Sequence, residues 1–256
     1  AVQYIVEEAI QADLSDVVFV NHQNKTIIED HFDYNLALES LLERSGKQDL
    51  LKQVREVAEM VNIISVRQKK QLGLGHAVLC AREVVKQEPF AAIVGDDLMF
   101  SPVPGIKQLL DVAESEQMAV VGVMPVSENK VSNYGIINAE EIAPHMYRVK
   151  DLQEKPAPDR AASNLAITGR YILTPDVFEH LQELNTSDRR EEIQLTEALR
   201  AMARKDRLLA VRLWGKRFDI GNWVDYLTAN IYFGLQDEEV RDDLVQRLQE
   251  LLPCPE

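Results

Sequence analysis

The sequence predicts an α/β protein in which a mixed, mainly parallel sheet is flanked by helices. Short apolar segments alternate with longer stretches whose apolar residues recur every three or four positions, the order expected when strands and covering helices take turns. Hydrophobic residues make up 46% of the 256 and charged residues 27%, which supplies one large core or two modest ones. No stretch nears the roughly eighteen consecutive apolar residues of a membrane span.

Taken in order, AVQYIVEEAIQADL opens in a helix and runs into a strand over 16–20. Residues 36–60 read as two charged amphipathic helices broken at Ser45-Gly46. They stand between strands at 16–20 and 63–66 that a far shorter connection would join, so they form an inserted helical hairpin. A helix over 75–85 leads to a strand at 91–94, and a helix over 106–114 to strands at 119–124 and 134–138. A strand-like run over 147–152 and a strand over 165–173 follow, then helices over 176–184 and 192–203, then a strand over 208–213. From 223 to 252 the apolar set Tyr226, Leu227, Ile231, Leu235, Val240, Leu244 and Leu248 reads as one long helix, stopped by Pro253. The expected organisation is a main domain over 1–222 and a C-terminal helical extension over 223–256. The apolar side of that extension packs on the chain's own core or, equally well, on a partner subunit.

Charge and cysteine content narrow the function. With 28 basic against 42 acidic side chains the formal net charge is −14, which argues against a general nucleic-acid binder. Gln3, Glu7 and Glu8 interrupt the N-terminal apolar run, so it is neither a membrane span nor a secretion signal, and the expected address is cytoplasmic. Cys80 and Cys254 are too few for a disulfide framework or a structural zinc site and are expected as free thiols.

Four motifs carry possible chemistry. In Phe90-Ala-Ala-Ile-Val-Gly-Asp96-Asp97-Leu98 an apolar strand ends abruptly in two adjacent carboxylates, at the strand end where open α/β sheets bind ligands and where a cation bridging phosphates would be held. A turn that caps a helix is the plainer alternative. In Phe218-Asp219-Ile220-Gly221-Asn222 a second carboxylate follows a strand, and two acids distant in sequence would suffice for one Mg²⁺; alone, Asp219 reads as a helix cap. Arg67-Gln68-Lys69-Lys70-Gln71-Leu72-Gly73-Leu74-Gly75-His76 is a glycine-bearing loop entering a helix. With Val78 in the third glycine's place it fits neither G-x-G-x-x-G nor G-x-x-x-x-G-K-[ST]. Its glycines would let the backbone approach a base or ribose, and the Gln68 amide can both donate to and accept from a base edge; a flexible connection is the alternative. Glu154-Lys155-Pro156 sets an acceptor for sugar hydroxyls beside a cation for phosphate, or is simply a solvated pair before a turn. A phosphate site here would draw its positive field from Lys155, Arg170, Lys216 and Arg217.

In their joint order the runs QYIVEEAI, IEDHF, RQKKQLGLGHAVLCA, EPFAAIVGDDL, YGII, EKP, SNLAITGRYIL, EIQLTEAL and GKRFDIGN make the chain resemble the bacterial UTP:glucose-1-phosphate uridylyltransferases of the sugar-nucleotidyltransferase superfamily. The resemblance extends over nearly the whole chain. RQ…LGLGHAVLCA and SNLA-I-GRYIL are specific to that family, while G-D-D-L and E-K-P are shared with thymidylyl- and cytidylyltransferases. It implies a Rossmann-like sheet of the nucleotide-diphospho-sugar transferase fold and a Mg²⁺-dependent reaction of UTP with glucose-1-phosphate that gives UDP-glucose and pyrophosphate. It also implies a homo-oligomer, dimer or tetramer. Carried residue by residue, Asp96 would bind Mg²⁺ with Asp219 as second ligand, and Gln68 and Gly73 would face the uracil. Gly135, Glu154 and Gly169 would line the glucose pocket. Lys155 would hold the sugar phosphate and be, with Asp96, a catalytic residue.

The sequence departs from the family in two ways. The family's N-terminal strand and G-x-G-T-R…K phosphate loop have no counterpart, so the expectation is a longer natural chain, without whose loop these residues would not turn over. Glu191 and Glu197 stand where the family has Gly and Asp, and Asn222 where Asp or a small polar residue is common. The competing expectations are a thymidylyl- or other sugar-phosphate nucleotidyltransferase, and a noncatalytic paralogue that binds UDP-glucose.

Overall fold

A computed structural model of the protein describes residues 1–23, 25–186 and 192–251. The first third of the chain runs α1 (Val2–Gln11), β1 (Asp16–Asn21), α2 (Thr26–Asp30), α3 (Leu36–Arg44), α4 (Gln48–Glu59), β2 (Asn62–Arg67), α5 (Leu74–Cys80) and α6 (Arg82–Val85). The middle runs β3 (Phe90–Ile93), β4 (Asp97–Phe100), α7 (Gly105–Glu116), β5 (Ala119–Pro125), β6 (Gly135–Ala143), β7 (Met146–Glu154) and β8 (Leu165–Leu173). The last part runs α8 (Val177–Thr186), α9 (Leu195–Arg204), β9 (Leu208–Arg212), β10 (Lys216–Asp219), α10 (Trp223–Gln236) and α11 (Arg241–Leu251).

The main sheet has six strands in the order β3-β8-β5-β9-β7-β6, and β6 curls back to meet β8 at Ile136 and Ala166. Mixed is the right description of it, and mainly parallel is not. Within this sheet only β5 and β9 pair in parallel, while the β3–β8, β5–β8, β7–β9 and β6–β7 pairings are antiparallel. The strands β3, β5, β9 and β6 do share one direction, but β8 and β7 run against them and lie between them. An apolar run reveals that a strand is buried and not which strands, distant in sequence, will flank it. Two further pairs stand apart: β1 with β2 in parallel, and β10 with β4 antiparallel.

Alternation along the central strands divides the core between the two faces of the sheet. Val121, Tyr171 and Leu173 point one way and pack with Phe178, Leu181, Leu199 and Met202 of α8 and α9. Their neighbours Val120 and Ile172 point the other way and pack with Ile106 and Leu109 of α7 and with Ala12 after α1. Each such side chain, fully buried, contributes roughly 1.5–3 kcal/mol, and together they hold the helical layers on the sheet.

The hairpin over 36–60 forms as expected, as α3 and α4 packed together, with Gly46 at a φ of 67° in the turn between them. Two expected helices divide. Residues 75–85 form α5 and α6 on either side of Ala81. The pattern over 223–252 breaks after Gln236: Asp237 is extended, its Oδ1 accepts the Glu239 N–H at 2.9 Å, and the chain turns back as α11. Gly234 lets the two helices pack closely, a Cβ there coming within 2.8 Å of Leu244 Cδ2. The apolar period continues across the turn, so spacing alone does not reveal it. Pro253 and Cys254 lie outside the described residues, whereas Cys80 is a free thiol whose burial pushes its pKa up. Among the described residues no helix is long and apolar enough to cross a membrane.

Candidate active site

Two carboxylates meet where β3 leaves the sheet. After Ile93 the chain turns through Gly95 and Asp96 into β4, and the Asp96 carbonyl accepts the Ile220 N–H at 2.9 Å, which lays the loop after β10 alongside. Gly221 sits between the acids: a Cβ there would lie 3.1 Å from Asp219 Oδ1 and 3.4 Å from Asp96 Oδ2. Loss of hydration pushes the Asp96 carboxyl above its ordinary 3.8. Repulsion from Asp219 and Asp97 adds to that, against a local backbone hydrogen bond and the charge of Arg217. Asp219 receives the Tyr134 hydroxyl on Oδ2 at 3.0 Å and the Gly221 N–H on Oδ1 at 3.2 Å. Asp219 does not cap the next helix. Asn222 does, its Oδ1 accepting the Asp225 N–H at 2.9 Å. Among the described residues no cluster of three metal-ligating side chains exists. A close pair of hard oxygen donors nevertheless fits Mg²⁺, which takes one or two protein carboxylates and draws its remaining ligands from phosphates and water.

Asp97, next in sequence, begins β4 and has a different environment. It is 5% exposed. Its Oδ2 accepts the Gly169 N–H at 2.9 Å and the Arg217 Nη2 at 2.7 Å, and Oδ1 lies 3.5 Å from Arg170 Nη1, which also donates to the Asp97 carbonyl. Arg170 is 0% exposed and pairs with Glu8 of α1 at 2.6 Å, while Glu8 Oε1 accepts the Ile106 N–H at 3.0 Å. Two acids and two arginines thus offset one another, with Glu8, Asp97 and Arg170 buried and Arg217 partly so. Arg170 is therefore no source of positive field for a phosphate, contrary to the expectation from sequence.

Gly169 lies under this network, where a Cβ would come within 2.9 Å of both Asp97 Cβ and Val94 Cβ. The space beside it is filled by protein, so its glycine character serves the approach of β8 to β3 and Asp97.

Glu154 and Lys155 leave the end of β7. Glu154 pairs in register with Gly135, and its Oε2 accepts the Thr196 hydroxyl at 2.6 Å. A Cβ on Gly135 would meet that carboxylate at 3.4 Å and Thr196 Oγ1 at 3.5 Å. Lys155 is exposed, has a φ of 45°, and donates its N–H to the Tyr134 carbonyl at 3.0 Å. Tyr134-Gly135 therefore joins the carboxylate pair to the Glu154-Lys155 pair in one continuous rim.

The glycine loop forms a separate wall. Gln68 is 9% exposed; its Nε2 donates to the Gly73 carbonyl at 3.2 Å and lies 3.0 Å from His76 Nδ1. Burial lowers the His76 pKa, which keeps that ring neutral. A Cβ on Gly73 or Gly75 would come within 2.9 Å or 2.8 Å of the Ile193 carbonyl, and the Gly75 N–H donates to that oxygen. The close approach these glycines permit is to the chain's own segment before α9.

This arrangement of acids, glycines and a lysine accompanies a match of residues 1–233 to the family model described as nucleotidyl transferase. The chain belongs to the nucleotidyl transferase family. It is 41% identical over 251 residues to a UTP--glucose-1-phosphate uridylyltransferase of Bacillus subtilis strain 168, covering 98% of this chain and 86% of that one. A solved UDP-glucose pyrophosphorylase complexed with UDP-glucose is similar at a TM-score of 0.81 and 39% identity, over 90% of this chain and 85% of that one. A UTP-bound UGPase from Acinetobacter baumannii is similar at a TM-score of 0.88 and 34% identity, over 98% and 88%.

In this nucleotidyl transferase, sequence reasoning missed Glu8, Thr196 and the part played by Tyr134. Glu8 carried a signal: it falls on the buried face of α1 with Ile5 and Ala9, where an acid needs a partner. Thr196 and Tyr134 carried none, since their partners come from elements 42 and 85 residues away. Glu197 is exposed on the first turn of α9, and Glu191 lies outside the described residues.

Proposed function

We propose that this nucleotidyl transferase makes UDP-glucose and pyrophosphate from UTP and glucose-1-phosphate. The observation that carries the reading is the single rim on which the Asp96–Asp219 pair and the Glu154-Lys155 pair are joined by Tyr134-Gly135. Lys155 has no ion-pair partner among the described residues, so its ammonium is available to the phosphate of the sugar. Glu154 keeps Oε1 for sugar hydroxyls while Thr196 occupies Oε2. Gln68 has its amide nitrogen engaged by Gly73 and His76, which leaves its carbonyl oxygen to accept the N3–H of uracil. Gly135 leaves room beside Glu154, whereas Gly169 and Gly73 act on the pocket through packing.

Lys155 orients the sugar phosphate so that one of its oxygens attacks the α-phosphorus of UTP. The new P–O bond forms as the bond to the departing pyrophosphate breaks, and no covalent enzyme intermediate is required. Mg²⁺, held by Asp96 and Asp219, would offset negative charge on the phosphates. The exposed Trp223, Val224 and Leu227 on α10 support a homo-oligomer, dimer or tetramer, and the substrate set suits a cytoplasmic address.

The test is pyrophosphate release by the purified protein with glucose-1-phosphate, Mg²⁺ and each of UTP, dTTP, CTP, ATP and GTP in turn. Release confined largely to UTP is expected. Equal release with dTTP would move the assignment to a broader nucleotidyltransferase, and UDP-glucose binding with no release from any nucleotide would leave a noncatalytic binder. Lys155→Ala should raise KM for glucose-1-phosphate about tenfold or more, since a hydrogen bond to a charged group contributes about 1.5–3 kcal/mol.

A further inference from the structure

Asp96 and Asp219 bear like charges on loops that touch, and nothing in Coulomb's law keeps the second acid facing the first. Asp219 nevertheless has both oxygens directed. The Gly221 N–H donates to Oδ1, and the Tyr134 hydroxyl, at 3.0 Å, donates to Oδ2. The Tyr134 ring is itself fixed: it packs on Val131, Ile136 and Ala166, and the Arg217 guanidinium carbon lies 4.8 Å from its centroid. Arg217 is anchored in turn on Asp97, at the start of the strand that follows Asp96.

We infer that Tyr134 is the positioning residue of the cation site: its hydroxyl holds the Asp219 carboxylate turned toward Asp96, so that the pair is set before a divalent cation arrives. The inference rests on the reading of Asp96 and Asp219 proposed above. It adds a residue that would act on the cation through Asp219. The cost of ordering Asp219 against its neighbour is met in folding, and binding is tighter by that amount.

The test uses Tyr134→Phe, which deletes the hydroxyl and keeps the ring on Arg217, beside Asp219→Asn as calibrator. Mn²⁺ binding is followed by electron paramagnetic resonance on protein saturated with UDP-glucose, and the thermal midpoint verifies folding. Y134F should weaken Mn²⁺ binding about tenfold, within the range known for partners of metal ligands, and D219N should weaken it more. In turnover, Y134F should raise the half-saturating Mg²⁺ concentration in parallel and leave KM for glucose-1-phosphate within about twofold, a split that a merely structural loss would not produce. Wild-type Mn²⁺ affinity in Y134F with weakened binding in D219N would overturn the role of Tyr134 and leave the carboxylate reading in place. Wild-type affinity in both variants would overturn the two together.

Discussion

On one side of the peptide joining Asp96 to Asp97 the carboxylate faces the loop after β10 and a like charge, and on the other it is enclosed among Gly169, Arg170 and Arg217. The inner region, with Glu8 as fourth member, has its charges matched and its oxygens occupied. The rim region, Asp96 and Asp219 with Tyr134 and Gly221, concentrates negative charge with which no Lys or Arg among the described residues forms an ion pair. Two identical side chains in succession thus divide the work. Ions with matched partners define where the strands lie, and the acids at the rim keep a charge that the inner network does not offset.

If the inner region is what holds the strands, Arg170→Ala should have the largest effect. It leaves Glu8 and Asp97 buried without their shared cation and should cost about 3–5 kcal/mol in urea unfolding. A loss under about 1 kcal/mol would show that the two regions do not differ as described.

Asp96→Asn probes the rim and should behave oppositely, with turnover falling about 10²–10³-fold as charge stabilisation at the reacting phosphates is lost. Folding should not suffer. The Asp96 carboxyl is held above its ordinary 3.8, so its charged form opposes folding at neutral pH, and that penalty disappears as acid protonates it. The metal-free variant should therefore be the more stable at pH 7, with the difference closing as pH falls through the carboxylate range. Equal or lower stability of D96N at pH 7 would contradict the assigned environment.

Gly169→Ala tests the junction of the two regions by driving a methyl to within 2.9 Å of Asp97 Cβ and Val94 Cβ. Overpacking of this kind costs about 1–3 kcal/mol by denaturant titration, and turnover should fall with it because Asp96 moves with its neighbour.

The smallest effect is expected at a pair that belongs to neither network, half-exposed Arg200 with Asp151, bonded at 2.5 and 2.8 Å. Arg200→Ala should cost about 0.2–1 kcal/mol. The Arg200 hydrogen bond holds Asp151 below its ordinary 3.8, so that contribution is present above this value and is lost as pH falls through the folded-state pKa. A cost comparable to that of Arg170→Ala would mean that burial is not what separates strong pairs from weak ones in this protein.

The candidate site was legible where chemistry is written into adjacent residues. Asp96, Asp219, Glu154 and Lys155 each follow a strand and stand out for charge at an apolar boundary, and the structure brings the first two together across Gly221. Arg170 was misread as part of a positive field because a charged residue in the apolar strand LAITGRYIL signals a buried partner without naming it. Gly73 was legible as a position of close approach, while the approaching group, Ile193, was not; Gly169 entered only through the family resemblance, as a residue beside the sugar, and its packing on Asp97 had no local signal.

The sequence by itself determined the α/β alternation, the helical hairpin after β1 and the strand-end placement of the acids, because periodicity and turn chemistry act over a few residues. Tertiary structure decided that β8 would run between β3 and β5, that the last helical stretch would fold back at Asp237, and that Asp97 would be spent on structure while Asp96 stayed at the rim. Those outcomes depend on which distant segments share a buried space, where a charge must find its counter-charge and a strand its ladder, and no local pattern encodes that pairing.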